Sequence, residues 1–154
     1  MVVIPNENDL LKLSKMQKEV CNILKASDNV NFAIPAQPLW LHSETPFACS
    51  EEELKNEGKK IVSLIIQDFC IEESEKYFNI KCRAEVNCTE SKKYFLMPFV
   101  IFKTNKISEN QKKEIEEFFK KELPLSLKIF RLGIEHYESP NAMSISSSVW
   151  VKLK

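Results

Sequence analysis

Hydrophobic residues near the start of the chain recur every three or four positions, which predicts an amphipathic helix over residues 7–25. Asn6 stands where an N-cap residue belongs. Asp9 falls in the first turn, where a carboxylate interacts favourably with the positive end of the helix dipole. The turn-forming residues 27–29 end the pattern. The face that we expect to be buried consists of Leu10, Leu13, Met16, Val20 and Ile23.

Two capping-box motifs predict where a second and a third helix begin. The motif 50-SEEE-53 predicts a helix over 51–69, and 108-SENQ-111 predicts one over 109–122. Gly58 lies inside the first of these at a cost of about 1 kcal/mol relative to alanine, and it would allow close packing. The expected buried positions are Leu54, Ile61, Leu64, Ile65 and Phe69 in one helix and Ile115, Phe118, Phe119 and Leu123 in the other.

Apolar and polar residues alternate strictly in 80-IKCRAEVNC-88, which predicts a strand with one buried and one solvent-exposed face. Such a strand is typical of an antiparallel sheet that is covered on one side. The polar turn 89-TESKK-93 leads into 94-YFLMPFVIF-102, so the two segments predict a β-hairpin. Pro98 has no N–H for a ladder, and it therefore predicts an edge or a bulge in the second strand.

Other parts of the chain are predicted as strands because they are rich in β-branched and aromatic residues. The resulting order, β-α-β-α-β-β-α-β-β, predicts an α+β domain with helices packed on a mainly antiparallel sheet. No linker or low-complexity stretch interrupts the pattern, so we expect residues 1–154 to form one domain. These further strands are 2–4, 30–34 continuing to 39–42 past Pro35 and Pro38, 126–137, and 143–154.

The composition is that of a chain able to bury a core, with 44% hydrophobic and 29% charged residues. The 22 basic and 22 acidic residues balance, so the chain has no overall attraction to nucleic acid or to an anionic membrane. No apolar run approaches the length of a membrane span, and the N-terminus does not have the pattern of a signal peptide. Together with five cysteines, an odd number, this predicts reduced thiols in the cytoplasm.

Several classes of site are disfavoured by the residues present. The chain contains two glycines, so it has neither a glycine-rich phosphate loop nor a Gly-x-Ser-x-Gly elbow. The cysteines form no Cys-x-x-Cys pair and stand near no histidine cluster, which argues against a tetrahedral metal site. We therefore expect no cofactor and no bound metal.

The two histidines of the chain stand in similar segments, 41-LHSETP-46 and 135-EHYESP-140. On an extended strand His42 and Glu44 would share one face, as would His136 and Glu138. A carboxylate beside an imidazole raises the pKa of the imidazole and fixes its orientation. If the fold brings the two strands together, one imidazole can remove a proton at a phosphodiester while the other donates one, without a metal.

A simpler interpretation of the same residues stays open. Glutamate, serine, threonine and proline are common turn neighbours, and histidines near strand ends are frequent. On this view the two segments are similar turns with no shared chemistry. The geometry of the two imidazoles discriminates between these interpretations, because only the catalytic hypothesis requires both imidazoles to face one cleft.

The order of elements around these segments resembles the two-histidine phosphoesterase superfamily, which includes the 2',5' RNA-ligase-like enzymes and cyclic nucleotide phosphodiesterases. In that superfamily a first strand and a helix precede a strand with a His-x-Thr/Ser motif, whose hydroxyl binds phosphate. The segments that carry the resemblance are 2-VVIP-5, the helix 7–25, 39-LWLHSE-44, the helix 51–69, the hairpin 80–102, 132-LGIEHYES-139 and 149-VWVKL-153.

This resemblance implies a protein that acts on, or in a catalytically degenerate form only binds, RNA or nucleotide phosphodiesters. Glu44 and Glu138 stand where the superfamily has the hydroxyl residue, and a carboxylate there would repel a phosphate. The candidate residues are His42 and His136 for catalysis, and Glu44, Glu138, Trp40 and Tyr137 for substrate binding.

Two alternatives use other features of the chain. Aromatic residues on strands can form a stacking surface for bases, although they are more often part of a core. Edge strands can pair with a partner strand or with a second copy, which would make the chain a non-catalytic protein- or ligand-binding module. The aromatic candidates are Trp40, Phe47, Tyr94, Phe95, Phe130, Tyr137 and Trp150.

Overall fold

The computed structural model describes residues 2–24, 39–40, 50–75, 78–90, 92–102, 107–137 and 145–152. Three helices are described: α1 (Glu7–Ile23), α2 (Glu51–Lys60) and α3 (Glu109–Glu122). The described strands are β1 (Val2–Pro5), β2 (Leu39–Trp40), β3 (Ile61–Glu73), β4 (Phe78–Cys88), β5 (Lys92–Phe102), β6 (Leu125–Leu127), β7 (Ile129–Tyr137) and β8 (Ile145–Lys152).

The predicted α+β class is confirmed, and the strands are divided between two antiparallel sheets. The first sheet, which we call sheet A, has the order β2-β1-β7-β8, and the second, sheet B, has the order β5-β4-β3-β6. The hairpin is confirmed as β4 paired with β5, and β5 is the last strand of sheet B among the described strands. The register shifts opposite Pro98, so this strand has both the edge position and the bulge that the proline predicted.

The N-caps of all three helices match the sequence prediction. The side chain of Asn6 accepts a hydrogen bond from the backbone of Asp9, and both capping boxes form with reciprocal bonds. In α3, Ile115 and Phe119 are buried while Phe118 and Leu123 pack at the border of the core. None of the helices in the described part of the chain is long and apolar enough to cross a membrane.

The predicted helix over residues 51–69 is wrong in its second half. The helix ends at Lys60, and Ile61 begins the 13-residue strand β3. Ile61, Leu64 and Ile65 have a helical spacing, but they belong to a run rich in β-branched residues that fits a pleated sheet better than a helix. β3 pairs with β4 along its whole length, so these residues follow the two-residue period of a strand and not the 3.6-residue period of a helix.

The predicted single strand over residues 126–137 is two strands in two different sheets. β6 pairs with β3 in sheet B, whereas β7 pairs with β1 and β8 in sheet A. Lys128 is the residue between them, and its backbone N–H donates to the carboxylate of Asp9 at 2.7 Å. Its carbonyl accepts from the backbone N–H of Asn6 at 2.8 Å, so the start of α1 holds the chain where it changes sheets.

One hydrophobic core cluster receives buried residues from all three helices and from β3 to β8. Phe119 of α3 stacks on Phe69 with ring centroids 4.3 Å apart, and it meets Phe99 edge to face at 5.5 Å. On β4 the face that was predicted to be buried is buried at Ile80, Cys82, Ala84 and Val86, whereas Glu85 on the face predicted to be exposed is buried as well. The core therefore lies between the helices and the apolar side of sheet B, and sheet A closes it with Leu132 and Val151.

Candidate functional site

Strand β1 lies between the two strands that are associated with the histidine segments. Val2 pairs with Trp40 on one side and with Gly133 on the other, and Val3 pairs with Leu39 and Leu132 in the same way. Both pairings are antiparallel, so β2 and β7 run in the same direction. Strands two places apart in a sheet are separated by about 10 Å. Segments far apart in the chain thus enter one sheet at neighbouring positions.

The predicted site residues differ in how far the structure describes them. His42, Glu44 and Glu138 lie outside the described residues, as does the predicted strand 30–34. For Trp40 in β2 and for His136 and Tyr137 in β7 the backbone is described and the side chain is not. The close approach of His42 and His136 therefore stays a prediction.

The backbone around His136 has an irregularity of its own. His136 pairs with Ser147 and Tyr137 pairs with Ile145, so the ladder between β7 and β8 skips one residue. Bulges of this kind occur often next to active sites, because they redirect side chains at the end of a ladder. The second histidine segment begins at this bulge.

A cavity of about 590 Å³ lies where the end of α2 meets both sheets. Four lysines line it: Lys55 and Lys59 from α2, Lys128 from the junction of β6 and β7, and Lys152 from β8. No acidic residue is among its described lining residues. We call this cavity the lysine cleft; its apolar lining consists of Ile61, Val62, Leu127, Ile129 and Val151, and Gly58 and Ser63 complete it.

The polar face of sheet B contains a second group of interacting side chains, centred on Glu85. Glu85 is 6% exposed, and its carboxylate lies 3.2 Å from the ammonium of Lys92 and 3.3 Å from the amide of Gln67. Burial alone would raise the pKa of Glu85. Hydrogen bonding and charge from Lys92, with hydrogen bonds from Tyr94 and Asn87, outweigh it and lower that pKa below its ordinary value.

Two aromatic candidates have described side chains, and they belong to different sheets. Tyr94 of β5 is 55% exposed, and the guanidinium of Arg83 lies 5.7 Å from its ring centroid. Phe130 of β7 is 36% exposed, with Arg131 and Lys152 over its ring. The two rings are therefore each covered by a cation, and a continuous aromatic surface stays a prediction.

Sequence reasoning missed both the lysine cleft and the burial of Glu85. Lys55 and Lys59 stand four residues apart, a spacing that places them on one side of α2. Nothing local relates them to Lys128 or Lys152, which arrive through the pairing of distant strands. Strand alternation correctly put Glu85 on the polar face, but its burial depends on neighbours from β3 and β5.

Metal-ligating side chains do not cluster within the described ranges, where no group of three or more histidine, cysteine, aspartate or glutamate residues could hold an ion. The chain matches no protein-family model, and comparison with curated proteins and with solved structures gives no match. The chemistry open to this chain therefore has to follow from its own residues and from the sheet that holds them.

Proposed function

We propose that the chain is a two-histidine phosphoesterase-like protein that binds or cleaves RNA or nucleotide phosphodiesters without a metal. The observation that supports this is the pairing of β1 with both β2 and β7. His42 follows β2 by two residues, and His136 lies in β7. A sheet of this order suits two imidazoles that approach one phosphate from either side.

The chemistry needs one imidazole as a base and the other as an acid. In hydrolysis of a 2',3'-cyclic phosphate, the base removes a proton from the attacking water and the acid donates one to the leaving ribose oxygen. Each positioned proton transfer contributes about 10²- to 10⁴-fold in rate. His42 is the better candidate of the two, because its segment is closer to the motif of the superfamily.

Glu44 and Glu138 determine how strongly the chain binds a phosphodiester and how fast it can cleave one. A carboxylate at the position of the phosphate-binding hydroxyl repels the substrate unless a cation compensates it. On this proposal a chain with both glutamates ionised binds phosphodiesters weakly or turns them over slowly. Replacement of both glutamates by threonine should therefore increase activity.

The test is hydrolysis of a 2',3'-cyclic nucleotide and of a 2',5'-linked dinucleotide by the wild type, His42→Ala, His136→Ala and Glu44→Thr/Glu138→Thr, all in the presence of EDTA. We expect each alanine variant to lose at least about 100-fold in rate and the threonine variant to gain. Circular dichroism and urea unfolding would establish that all four proteins are folded.

A wild-type rate equal to the buffer blank, with no gain from Glu44→Thr/Glu138→Thr, would reject the catalytic form of the proposal. Fluorescence titration with a labelled, non-hydrolysable dinucleotide then tests the binding form. If neither histidine variant changes that affinity, the histidine segments are not a nucleotide site.

The second candidate is a non-catalytic interaction module, and the position of β8 favours it. This eight-residue strand stands at the end of sheet A in the described order, where a partner strand or a second copy can add. Analytical ultracentrifugation across concentration tests self-pairing, which a single monomeric species at all concentrations would exclude.

A cytoplasmic location is part of the proposal. Cys21, Cys70 and Cys82 are free thiols in the structure, as in proteins of reducing compartments.

A further inference from the structure

We propose that the lysine cleft is a binding site for a small phosphorylated ligand with an apolar body, of the class of a nucleoside monophosphate. The inference is independent of the histidines, none of which is among the described lining residues of the cleft. It is supported by the charge of the lining, by its apolar floor and by its size.

The positive charge available to a ligand comes mainly from Lys128 and Lys152. The ammonium of Lys55 is 2.6 Å from the carboxylate of Glu51, which compensates it. Lys59 stands in the last turn of α2, where it complements the negative end of the helix dipole. The two α2 lysines therefore add little net charge to the cleft.

Lys128 and Lys152, by contrast, form no ion pair with any residue in the described part of the chain. The ammonium of Lys152 lies 5.0 Å from the ring centroid of Phe130, a cation–π contact that leaves its charge in place. Lys128 and Lys152 both line the cavity, and two lysine charges without an ion pair among the described residues match the charge of a phosphate dianion.

The apolar lining of the lysine cleft gives the ligand a second kind of contact. Val62 is 69% exposed although it is a large hydrophobic residue, and it lines the same cavity as the lysines. The volume of about 590 Å³ falls within the range of small-molecule sites, roughly 300–1,000 Å³. Inorganic phosphate alone would leave most of this space and all of this apolar surface unused.

Isothermal titration calorimetry at low ionic strength tests the proposal with three probes: adenosine monophosphate, adenosine and inorganic phosphate. We expect the monophosphate to bind more tightly than either part and to lose affinity as salt is added. Lys128→Gln/Lys152→Gln should weaken binding about tenfold, since an exposed charge contact contributes on the order of threefold in affinity.

Lys18→Gln/Lys113→Gln is the matched control, because it removes the same charge from exposed positions on α1 and α3. Val62→Asp is an independent variant at an exposed position, and its carboxylate should repel the phosphate and weaken binding to a similar extent. Because Lys128 and Lys152 lie outside the histidine segments, a loss of affinity in Lys128→Gln/Lys152→Gln but not in the control variant assigns the binding to the cleft and keeps this test separate from that of the proposed function.

Three results would overturn the inference. The first is the absence of saturable binding of the monophosphate by the folded wild type. The second is an equal loss of affinity in the control and in the cleft double variant. The third is binding of an RNA oligonucleotide with no binding of the monophosphate, which would indicate a diffuse polyanion surface rather than a small-ligand site.

Discussion

The carboxylate of Asp9 accepts a 2.7 Å hydrogen bond from the backbone N–H of Lys128, a residue 119 positions later in the chain. Asp9 is 6% exposed, and it also accepts from the side chains of Asn6 at 3.1 Å and Lys12 at 3.2 Å. One buried carboxylate therefore binds the side chain of the N-cap residue Asn6 and holds the point where the chain passes from sheet B to sheet A.

Asp9→Ala should lower the free energy of unfolding by about 2–3 kcal/mol. The substitution leaves the partly buried N–H of Lys128 without its acceptor, which costs about 1–3 kcal/mol, and it also removes the charge contacts of Asp9. Urea unfolding followed by circular dichroism measures the change.

Glu7→Ala is the control for Asp9→Ala, because Glu7 is acidic, exposed and in the same first turn. Its effect should stay within about 0.5 kcal/mol. Equal effects of the two substitutions would mean that Asp9 contributes only through the helix dipole.

Gly58→Ala should destabilise the protein by about 1 kcal/mol, although alanine is the better helix former by about the same amount. Gly58 is buried in α2, which packs against β7 and β8, and neither glycine of the chain has a positive φ angle. The backbone conformation does not require glycine here, so we expect the effect of the added methyl group to come from overpacking the contact of α2 with these strands.

Thermal and urea unfolding of Gly58→Ala check this prediction against Asn56→Ala, an exposed position in the same helix whose effect should be near zero. A gain in stability for Gly58→Ala would show that the space beside this glycine is free.

Glu85 should make the stability of the protein depend on acidic pH. Lys92 and neighbouring hydrogen bonds lower the pKa of Glu85 in the folded state despite its burial. A lowered folded-state pKa stabilises the fold above the unfolded-state value, about 4.3, and this stabilisation is lost as pH falls through the folded-state value. The wild type should exceed Glu85→Gln in stability at pH 6, and the difference should shrink at pH 3.

Lys92→Gln tests the cause of that pH dependence, because it removes the main group that lowers the pKa of Glu85. Its unfolding curves should show a smaller decline from pH 6 to pH 3 than those of the wild type, whereas Lys113→Gln on α3 should leave the decline unchanged. A pH profile of Glu85→Gln parallel to that of the wild type would contradict the assignment.

Thiol labelling should separate Cys70 from Cys82. Cys70 is exposed on β3, whereas Cys82 is buried in β4 and its burial raises the pKa of its thiol far above the ordinary value. Because the thiolate is the reactive form, Cys82 should react at least about 100-fold more slowly than Cys70 in the native protein. Mass spectrometry of peptides after a timed iodoacetamide pulse measures both, and similar rates would contradict the buried position of Cys82.

Local patterns along the chain predicted the helix starts, the β4–β5 hairpin and the irregularity at Pro98, since a capping side chain acts within three residues and a strand alternates with period two. They failed at residues 61–69, where helical spacing and strand propensity conflict. Only pairing with β4 resolves that conflict, because intrinsic preferences of about 1 kcal/mol are smaller than the energy of a paired, buried strand.

The division of residues 125–137 between two sheets could not be predicted from that segment, which has the pattern of one strand. It depends on Asp9 and on β1 and β3, whose positions are set by the rest of the chain. The candidate sites likewise depend on contacts between distant parts of the chain. Residue types in the chain suggested phosphate chemistry at His42 and His136. The position of β1 between β2 and β7, and the cavity that Lys128 and Lys152 both line, follow from contacts between residues far apart in sequence.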